Sequence, residues 1–423
     1  MFHSNPAKAM RALRRAARDA PPTAGLPLLA ADLFGRDSDL EGAIAGFLGV
    51  PEAQLECSGT AALIVILTAL RRMSLRDTVV VPAYTCPLVA LAIAQCGLKM
   101  AVCDLELDGL DMDERHLRAL CNERTLAVMP THLGGRVADV ATALLCARAV
   151  GAWTIEDAAQ ALGARVGGAS VGLQGDVGFF SLAVGKGLTI FEGGVLISRD
   201  ASIRQVLRDV SQATVPRSWR WELRRCVELL GYAALYRPRG LRLAYGMPLR
   251  RALARNDWIA AAGDDFAERV PLHVPGAWRR SVGVRALRRL PAFLAAARGR
   301  ALHRRTRLAA VPGLQVLGDA YGVGVWPVLL VLLPDATARD AALQALWGSG
   351  YGVSLPFVHA LPDYDYLSEI VPRAGSRELP HARNLAARML AVSNSPWLAD
   401  SDFESVLGIL LEACGRNGVC YAA

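Results

Sequence analysis

Two residues in the middle of the chain have types and spacing that could do chemistry together. Lys186 lies between Gly185 and Gly187, and Asp157 ends a strand-like run 29 positions earlier. An amine between glycines can approach a flat molecule closely, because glycine has no side chain to crowd it. A carboxylate at the carboxyl end of a buried strand lies where open α/β sheets bind ligands. The pair therefore predicts a Schiff-base lysine and an acid for a pyridinium nitrogen, the two groups that a pyridoxal 5′-phosphate (PLP) enzyme needs.

The scarcity of lysine makes Lys186 more informative. Of the 47 basic residues only three are lysines, namely Lys8, Lys99 and Lys186. Arginine is always protonated and does not replace an amine in imine chemistry, so a lysine kept in an arginine-rich chain favours such chemistry. The count alone leaves open that Lys186 is an ordinary solvated loop lysine.

Length and composition predict a large, well-buried α/β protein. The 423 residues exceed the size of roughly 250–300 residues at which single cores stop growing, so two domains are expected. The net charge of +8 comes from arginine and could attract anionic substrates or a membrane surface, or reflect a GC-rich genome. Since no basic run contains interleaved aromatic residues, a nucleic-acid partner is not expected.

The cysteines and the apolar runs point to a cytoplasmic protein. The nine cysteines form no CxxC pair, so neither a metal site nor a disulfide framework is predicted, and a reducing compartment is expected. Residues 78–98 carry no charge, but Pro82 and Pro87 interrupt them, which favours a strand, a turn and a buried helix over a membrane span. The N-terminus has no apolar run typical of a secretory signal.

Strand and helix patterns alternate along the first part of the chain, which predicts a mainly parallel sheet with helices on both faces. Strands are expected at 77–81, 100–104, 126–130 and 153–157, and helices at 37–48, 63–70, 88–96, 114–120 and 140–150. The small residues Ser58, Gly59 and Thr60 open one of these helices. Free N–H groups at such a helix start favour a phosphate, although the same residues also make an ordinary N-cap.

The pattern changes after Asp200. Residues 203–300 read as mostly helical and arginine-rich, and 226–247 mix apolar residues with arginine. That segment could lie on a membrane surface, grip an acyl or prenyl group, or pack on a partner subunit. Later strands at 323–333 and 353–357 and helices at 339–347 and 403–413 predict a smaller α+β domain. We therefore expect an extension (1–27), a large PLP-binding domain (28–250, with 203–270 variable) and a small C-terminal domain (251–423).

Several motifs occur in order along residues 25–200. They are SGTAAL (58–63), DTVVVPAYTC (77–86), PTHLGG (130–135), IEDAAQALGA (155–164), GDVGFFSLAVGK (175–186) and EGG (192–194). The set resembles the DegT–DnrJ–StrS family of PLP-dependent sugar aminotransferases. The resemblance implies the aspartate-aminotransferase fold (fold type I), with a large domain built on a mainly parallel, seven-stranded-type sheet.

The resemblance also implies roles for individual residues. Lys186 would form the internal aldimine and move a proton, and Asp157 would pair with the pyridinium nitrogen. The remaining implied contacts are Gln160 near the ring or its phenolic oxygen, Gly59, Thr60, Ala61 and Ser181 at the phosphate, His132 near the ring, and His359 facing the substrate. Cys86 stands where the family has an aromatic residue over the ring, which Tyr84 could replace. The family's asparagine–aromatic–arginine motif is not recognisable before Arg279.

The predicted function is transfer of an amino group to a keto-sugar in polysaccharide or glycan biosynthesis. Glutamate is the expected donor, and the keto-sugar is expected to be linked to a nucleotide. The resemblance implies a homodimer, with active sites at the subunit interface. Dehydration of a deoxysugar is a second PLP reaction on this scaffold, but relatives that perform it have histidine in place of Lys186. A PLP enzyme acting on a lipid-linked or other apolar ketone, with peripheral membrane contact through 226–247, and a non-catalytic PLP-binding relative are the alternatives.

Overall fold

A seven-stranded sheet forms the centre of the larger part of the molecule. The computed structural model describes residues 18–373 and 378–415, so Lys8 and Cys420 lie outside the described residues. The strand order is β1-β9-β8-β5-β4-β2-β3. Four of the six strand pairs are parallel, and β9 runs antiparallel to both of its neighbours. The strands are β1 (Gln54–Glu56), β2 (Thr78–Pro82), β3 (Lys99–Cys103), β4 (Thr125–Val128), β5 (Trp153–Asp157), β8 (Val177–Ser181) and β9 (Gly194–Ile197).

Helices cover both faces of this sheet, because its central strands are apolar on both sides. Every residue of β4 and β8 is buried, as expected for parallel strands between helical layers. The mainly parallel sheet predicted from the sequence is thus confirmed. The helices of this part are α1 (Leu40–Leu48), α2 (Gly59–Met73), α3 (Pro87–Gln95), α4 (Glu114–Leu120) and α5 (Val140–Ala149), and a two-stranded ribbon is formed by β6 (Arg165–Val166) and β7 (Ala169–Ser170).

Short polar side chains define where these helices begin. Ser58 Oγ accepts a hydrogen bond from the Ala61 N–H at 3.0 Å, and Asp139 Oδ1 accepts one from the Thr142 N–H at 3.2 Å. Each bond satisfies a donor that the first helical turn leaves unpaired. The uncharged run 78–98 forms β2 and α3, as the two prolines predicted. Within residues 18–373 and 378–415, no helix has the length and apolar character needed to cross a membrane.

A long helical region follows the first sheet. It consists of α6 (Ala201–Thr214), α7 (Trp219–Leu235), α8 (Pro238–Leu241), a π-helical turn (Arg242–Gly246), α9 (Met247–Ala254), α10 (Trp258–Ala262), α11 (Ala277–Leu287) and α12 (Leu290–Ala309). Although α11 comes after residue 250, it contacts the N-terminal elements. Trp278 Nε1 donates to the Leu33 carbonyl at 3.1 Å, and Arg280 pairs with Glu41 at 2.6 Å. The domain division at residue 250 stays a prediction.

A second sheet of four antiparallel strands lies in the C-terminal part, in the order β10-β11-β13-β12. The remaining elements are β10 (Gln315–Val316), β11 (Val328–Leu332), α13 (Ala336–Leu346), β12 (Val353–Ser354), α14 (Pro380–Arg388), β13 (Met389–Ser393) and α15 (Asp400–Gly415). Strands β11 and β13 are wholly buried.

Residues 18–27, the first part of the chain that the structure describes, pack against the rest of the protein. Ala20, Ala24 and Leu26 are buried. The Gly25 N–H donates to Tyr236 Oη at 2.9 Å, and the Leu26 N–H donates to the Gly187 carbonyl at 3.0 Å. Residues 18–27 therefore pack against the helical region and against the loop that carries Lys186, and the domain boundary expected at residue 27 stays a prediction.

Candidate active site

A cavity of about 590 Å³ lies at the carboxyl ends of β4, β5 and β8. Most of the residues predicted for the site line it: Gly59, Thr60, Cys86, His132, Asp157, Gln160, Ser181 and Lys186. These side chains come from five separate connections of the first sheet. The sheet brings them together because the carboxyl ends of its parallel strands meet at one edge.

Asp157 is a buried carboxyl group with one oxygen available to the cavity. It is the last residue of β5, and it is 5% exposed. Oδ1 accepts the Ala159 N–H at 3.0 Å, whereas Oδ2 has no hydrogen bond to a described residue. Burial raises the pKa of this carboxyl group, against the smaller lowering effect of Lys186. A cationic partner in the cavity would therefore stabilise its charged form.

Lys186 follows a glycine that the local geometry requires. Gly185 has φ +79°, and a β-carbon there would lie 2.4 Å from Thr23 Oγ1. No hydrogen bond or ion pair joins Lys186 Nζ to a residue in the described ranges. Burial lowers the pKa of the amine. Since an amine is protonated below its pKa, this lowering keeps Nζ neutral, and so nucleophilic, at a lower pH than an exposed lysine allows.

The start of α2 forms an anion-binding corner of the cavity. The N–H groups of Gly59 and Thr60 bond to no described residue, and the helix dipole favours negative charge at this end. Ser181 Oγ lies at the same corner, 3.3 Å from where a β-carbon of Gly59 would be. Ala61 was expected to join this set, but its N–H donates to Ser58 Oγ and its side chain does not line the cavity.

Gly59→Ala should weaken binding of a phosphate at this corner. The new β-carbon would lie 3.0 Å from Ser181 Cβ, which is closer than most β-carbon contacts. Relieving this overlap would move Ser181 and the start of α2 away from the phosphate position. If the cost of about 1–3 kcal/mol for such overpacking falls on phosphate binding, the dissociation constant for PLP rises about 5- to 150-fold. Titration followed by absorbance measures this. Gly46→Ala is the matched control, because its helical position has open space, and an equal loss of affinity in both variants would contradict the assignment.

Gln160 has one end of its amide fixed by the protein. Oε1 accepts the Gly134 N–H at 2.7 Å, so Nε2 is the end left to donate into the cavity. A donor there suits an anionic oxygen on a bound ring. Gly134 has φ +68°, and Gly135 has φ +78°, so this loop adopts a backbone conformation that favours glycine.

His132 lines the cavity, but both of its ring nitrogens are bonded to the protein. Nδ1 accepts the Ala138 N–H at 3.0 Å, and Nε2 lies 3.1 Å from Glu156 Oε2. The first bond leaves the proton on Nε2, which donates to Glu156. The ring can therefore offer its face to a ligand, but neither of its nitrogens is free for a polar contact with one.

Glu156, which does not line the cavity, fixes the position of the His132 ring. Its carboxylate is fully buried and accepts the N–H groups of Gly172 at 2.7 Å and Gly175 at 2.6 Å in addition to His132. In Glu156→Gln one acceptor becomes a donor that faces an N–H group. We expect the free energy of unfolding to fall by about 1–3 kcal/mol, the cost of an unsatisfied buried group. Urea unfolding measures this, and an unchanged midpoint would contradict it.

The expected aromatic cover over a bound ring is not supplied by Tyr84. Tyr84 Oη donates to the Phe357 carbonyl at 2.9 Å and accepts its N–H at 3.1 Å, and Tyr84 does not line the cavity. Cys86 does line it, and burial raises the pKa of its thiol to about 12. The aromatic side chains that reach the cavity are Phe179, Phe266 and Phe357.

Residues 262–271, which we call the wall loop, contribute a side of the cavity that sequence patterns did not reveal. Asp264 Oδ2 accepts Tyr364 Oη–H at 2.6 Å and the Val358 N–H at 2.9 Å, which ties the loop to the C-terminal part. His359 was expected to face the substrate. It does not line the cavity, and its ring packs against Tyr364 at 5.3 Å instead.

Charged side chains line another side of the cavity. Glu192 and Arg225 line the cavity and form an ion pair with each other. Arg279 is fully buried and bonds to both carboxylate oxygens of Glu222, at 2.9 and 2.6 Å. It also donates to the Glu192 carbonyl at 2.7 Å. Because these bonds use most of its donors, Arg279 fixes the Glu192 loop from within the protein.

The residues present fit PLP. The free N–H groups at the start of α2 suit a phosphate, the open oxygen of Asp157 suits a protonated ring nitrogen, and Lys186 offers an amine without a partner in the described protein. Thr85 Oγ1 and Thr131 Oγ1 are further cavity-lining atoms that are buried and bond to no described residue. Buried polar atoms normally have partners, so unsatisfied atoms at a cavity wall are consistent with a ligand there.

Comparison with known proteins agrees with this geometry. Residues 35–233 match the DegT/DnrJ/EryC1/StrS aminotransferase family. GDP-perosamine synthase of Vibrio cholerae is 33% identical over 225 residues, which are 53% of this chain and 58% of that protein. The UDP-N-acetyl-3-dehydro-alpha-D-glucosamine 3-aminotransferase of Acidithiobacillus ferrooxidans is 35% identical over 170 residues, 40% of this chain and 46% of that protein. The alignments thus span about half the length of these relatives.

Solved structures extend the likeness in fold to nearly the whole chain. The structure of DesI in the presence of its TDP-sugar product has a TM-score of 0.71 at 23% identity and covers 96% of this chain and 95% of its own. The PLP form of the putative sugar aminotransferase Spr1654 from Streptococcus pneumoniae has a TM-score of 0.69 at 15% identity, over 98% and 97% of the two chains. Residues 35–233 are thus similar to the DegT/DnrJ/EryC1/StrS aminotransferase family, and the fold of nearly the whole chain is shared with solved sugar aminotransferases, one of them in its PLP form.

Proposed function

We propose that this protein transfers an amino group from an amino acid, with glutamate as the expected donor, to a keto-sugar linked to a nucleotide. The observation that carries the proposal is the meeting of Lys186, Asp157 and the free start of α2 in one cavity. The named relatives that act on GDP- and UDP-sugars support the substrate class.

Each residue has a defined part in this proposal. PLP supplies a carbonyl carbon that bonds an amine and a protonated ring that withdraws electrons from the carbon beside that amine. Asp157 Oδ2 would accept the ring N–H of the bound cofactor and keep the ring charged. Lys186 Nζ would move a proton from the α-carbon of the donor to the cofactor carbon that bonds the amine, and in the second half-reaction would move one from that carbon to the acceptor carbon. Gln160 Nε2 would donate to the phenolic oxygen, and the start of α2 with Ser181 would bind the phosphate.

The visible spectrum of the purified protein tests the proposal. PLP bonded to a lysine absorbs near ~410–430 nm, and glutamate should shift this band to the near-ultraviolet. Keto-sugar nucleotides should then restore the visible band. A band that ignores glutamate and other amino acids would overturn the aminotransferase proposal while leaving the cofactor in place. Absence of the band after PLP is supplied would overturn both.

A second acceptor class is favoured by the wall loop. Phe266, Val270 and Pro271 line the cavity together with Pro356 and Phe357. Apolar groups in the wall of the cavity that holds Lys186 suit a lipid-linked or otherwise apolar ketone. Restoration of the visible band by such a ketone, but not by a nucleotide sugar, would select this alternative.

The assembly and location are also proposals. A homodimer is expected from the family resemblance, and light scattering on the purified protein tests it. A cytoplasmic location is supported by the cysteines of the described ranges, which are all free thiols.

A further inference from the structure

Helix α7 carries an apolar stripe that faces solvent. Trp219, Leu223, Val227 and Leu230 recur at helical spacing and are 72%, 57%, 61% and 47% exposed. Residues three or four positions apart lie on one face of a helix, so these four side chains form a single row. We call this row the α7 stripe. A contiguous exposed row of this kind marks a surface for binding something.

The opposite side of α7 is anchored in the protein, which holds the stripe outward. Leu229 and Tyr232 are buried, and Tyr232 Oη donates to the Leu26 carbonyl at 3.2 Å. Arg225, on the same inner side, lines the cavity. The segment 226–247 that the sequence singled out is thus only partly exposed, since Leu229, Tyr232, Tyr236 and Leu241 pack inward. The exposed row begins earlier, at Trp219.

The charges around the stripe have one sign. Between residues 216 and 258 the exposed charged side chains are seven arginines and one aspartate, Asp257. The arginines are Arg217, Arg220, Arg224, Arg237, Arg239, Arg251 and Arg255. Glu222 and Glu228 are only partly exposed; Glu222 pairs with Arg279, and Glu228 pairs with both Arg225 and Arg224. The exposed charges of this stretch of the chain are therefore mainly positive.

This charge pattern distinguishes between two occupants. A two-fold contact with a second copy uses the same patch on both subunits, so it would bring one arginine-rich surface against another. An anionic lipid surface instead offers negative charge to the arginines and apolar chains to the stripe. The tryptophan at the end of the row is of the type enriched at membrane–water interfaces.

We propose that α7 docks the protein on anionic membrane surfaces, with the α7 stripe inserted at the headgroup boundary and Arg220 and Arg224 facing the headgroups. Arg225, on the inner side of the same helix, lines the cavity, so docking would bring the cavity close to the bilayer. The docking itself does not depend on the proposed reaction, because it uses the outer side of α7 alone.

Vesicle co-sedimentation of the full, PLP-loaded chain tests this proposal. We expect binding to vesicles of equal parts phosphatidylcholine and phosphatidylglycerol, weak binding to phosphatidylcholine alone, and release by salt. Leu223→Ser with Val227→Ser should lower the partition coefficient at least about tenfold. Arg220→Gln with Arg224→Gln should lower it roughly 30-fold, at about fivefold per arginine.

Matched controls use exposed residues elsewhere. Leu145→Ser with Leu411→Ser, and Arg72→Gln with Arg115→Gln, make the same chemical changes away from α7 and should bind as the wild type does. The cofactor spectrum shows that each variant is folded, independently of vesicle binding. A wild-type protein that stays in the supernatant would overturn the proposal. So would stripe variants that bind normally, or variants that turn a dimer into a monomer without changing vesicle binding.

Discussion

Lys186→Arg should reduce amino transfer by at least ~10³-fold. The substitution keeps a positive charge in the cavity but removes the amine that can both bond to a carbonyl carbon and move a proton, and proton transfer alone contributes about 10²–10⁴-fold. Turnover with glutamate is the direct measurement. Borohydride reduction and peptide mass analysis should place the cofactor on Lys186 in the wild type and on no residue in the variant.

Lys99→Arg is the matched control for this prediction. Lys99 is 65% exposed and pairs with Asp77 at 3.1 Å, and neither residue lines the cavity. We expect its turnover and its visible spectrum to equal those of the wild type. Cofactor attached to Lys8 or Lys99, or a Lys186→Arg protein with turnover within tenfold of the wild type, would refute the assignment.

Asp157→Asn should lower kcat by about 10²–10³-fold, the usual effect of removing one preorganised electrostatic partner. Asparagine keeps the shape and can still accept the Ala159 N–H through Oδ1, so the fold should persist. It lacks the negative charge that holds a proton on the ring nitrogen. Single-turnover kinetics with glutamate, followed at the visible band, isolate the step in which this charge acts.

The neighbouring carboxyl group gives a contrast that separates chemistry from stability. Glu156→Gln changes the adjacent residue in the same chemical way, but Glu156 points away from the cavity toward His132 and two glycine N–H groups. We expect Glu156→Gln to lower stability while largely preserving the half-reaction. We expect Asp157→Asn to slow the half-reaction while largely preserving stability. If Asp157→Asn retained kcat within threefold, the pairing of Asp157 with the ring would be wrong.

The first sheet was predictable because its information is local. Buried parallel strands read as continuous apolar runs, so the strands predicted at 77–81 and 153–157 agree with β2 (78–82) and β5 (153–157). Lys186 and Asp157 were recognisable for a related reason. One lies between glycines and the other ends a strand, and both signals are contained in a few consecutive residues.

Contacts between distant residues were not predictable from the sequence. The state of His132 depends on Glu156 and Ala138, and no motif shows that both of its ring nitrogens are already bonded. Tyr84 is held by the backbone of Phe357, 273 positions away. Asp264 reaches the cavity wall through Tyr364, 100 positions away. Side chains of this kind are positioned by packing, which a single sequence does not display.

The tie between Asp264 and Tyr364 has a consequence for biosynthesis. Lys186 leaves the ribosome 178 residues before Tyr364, an interval of roughly 10 to 35 s at about 5–20 residues per second. The phosphate corner, Asp157, Gln160 and Lys186 are therefore all synthesised while the wall loop still lacks its anchor. The side of the cavity that the wall loop forms is thus the last side to be fixed in place as the chain is made.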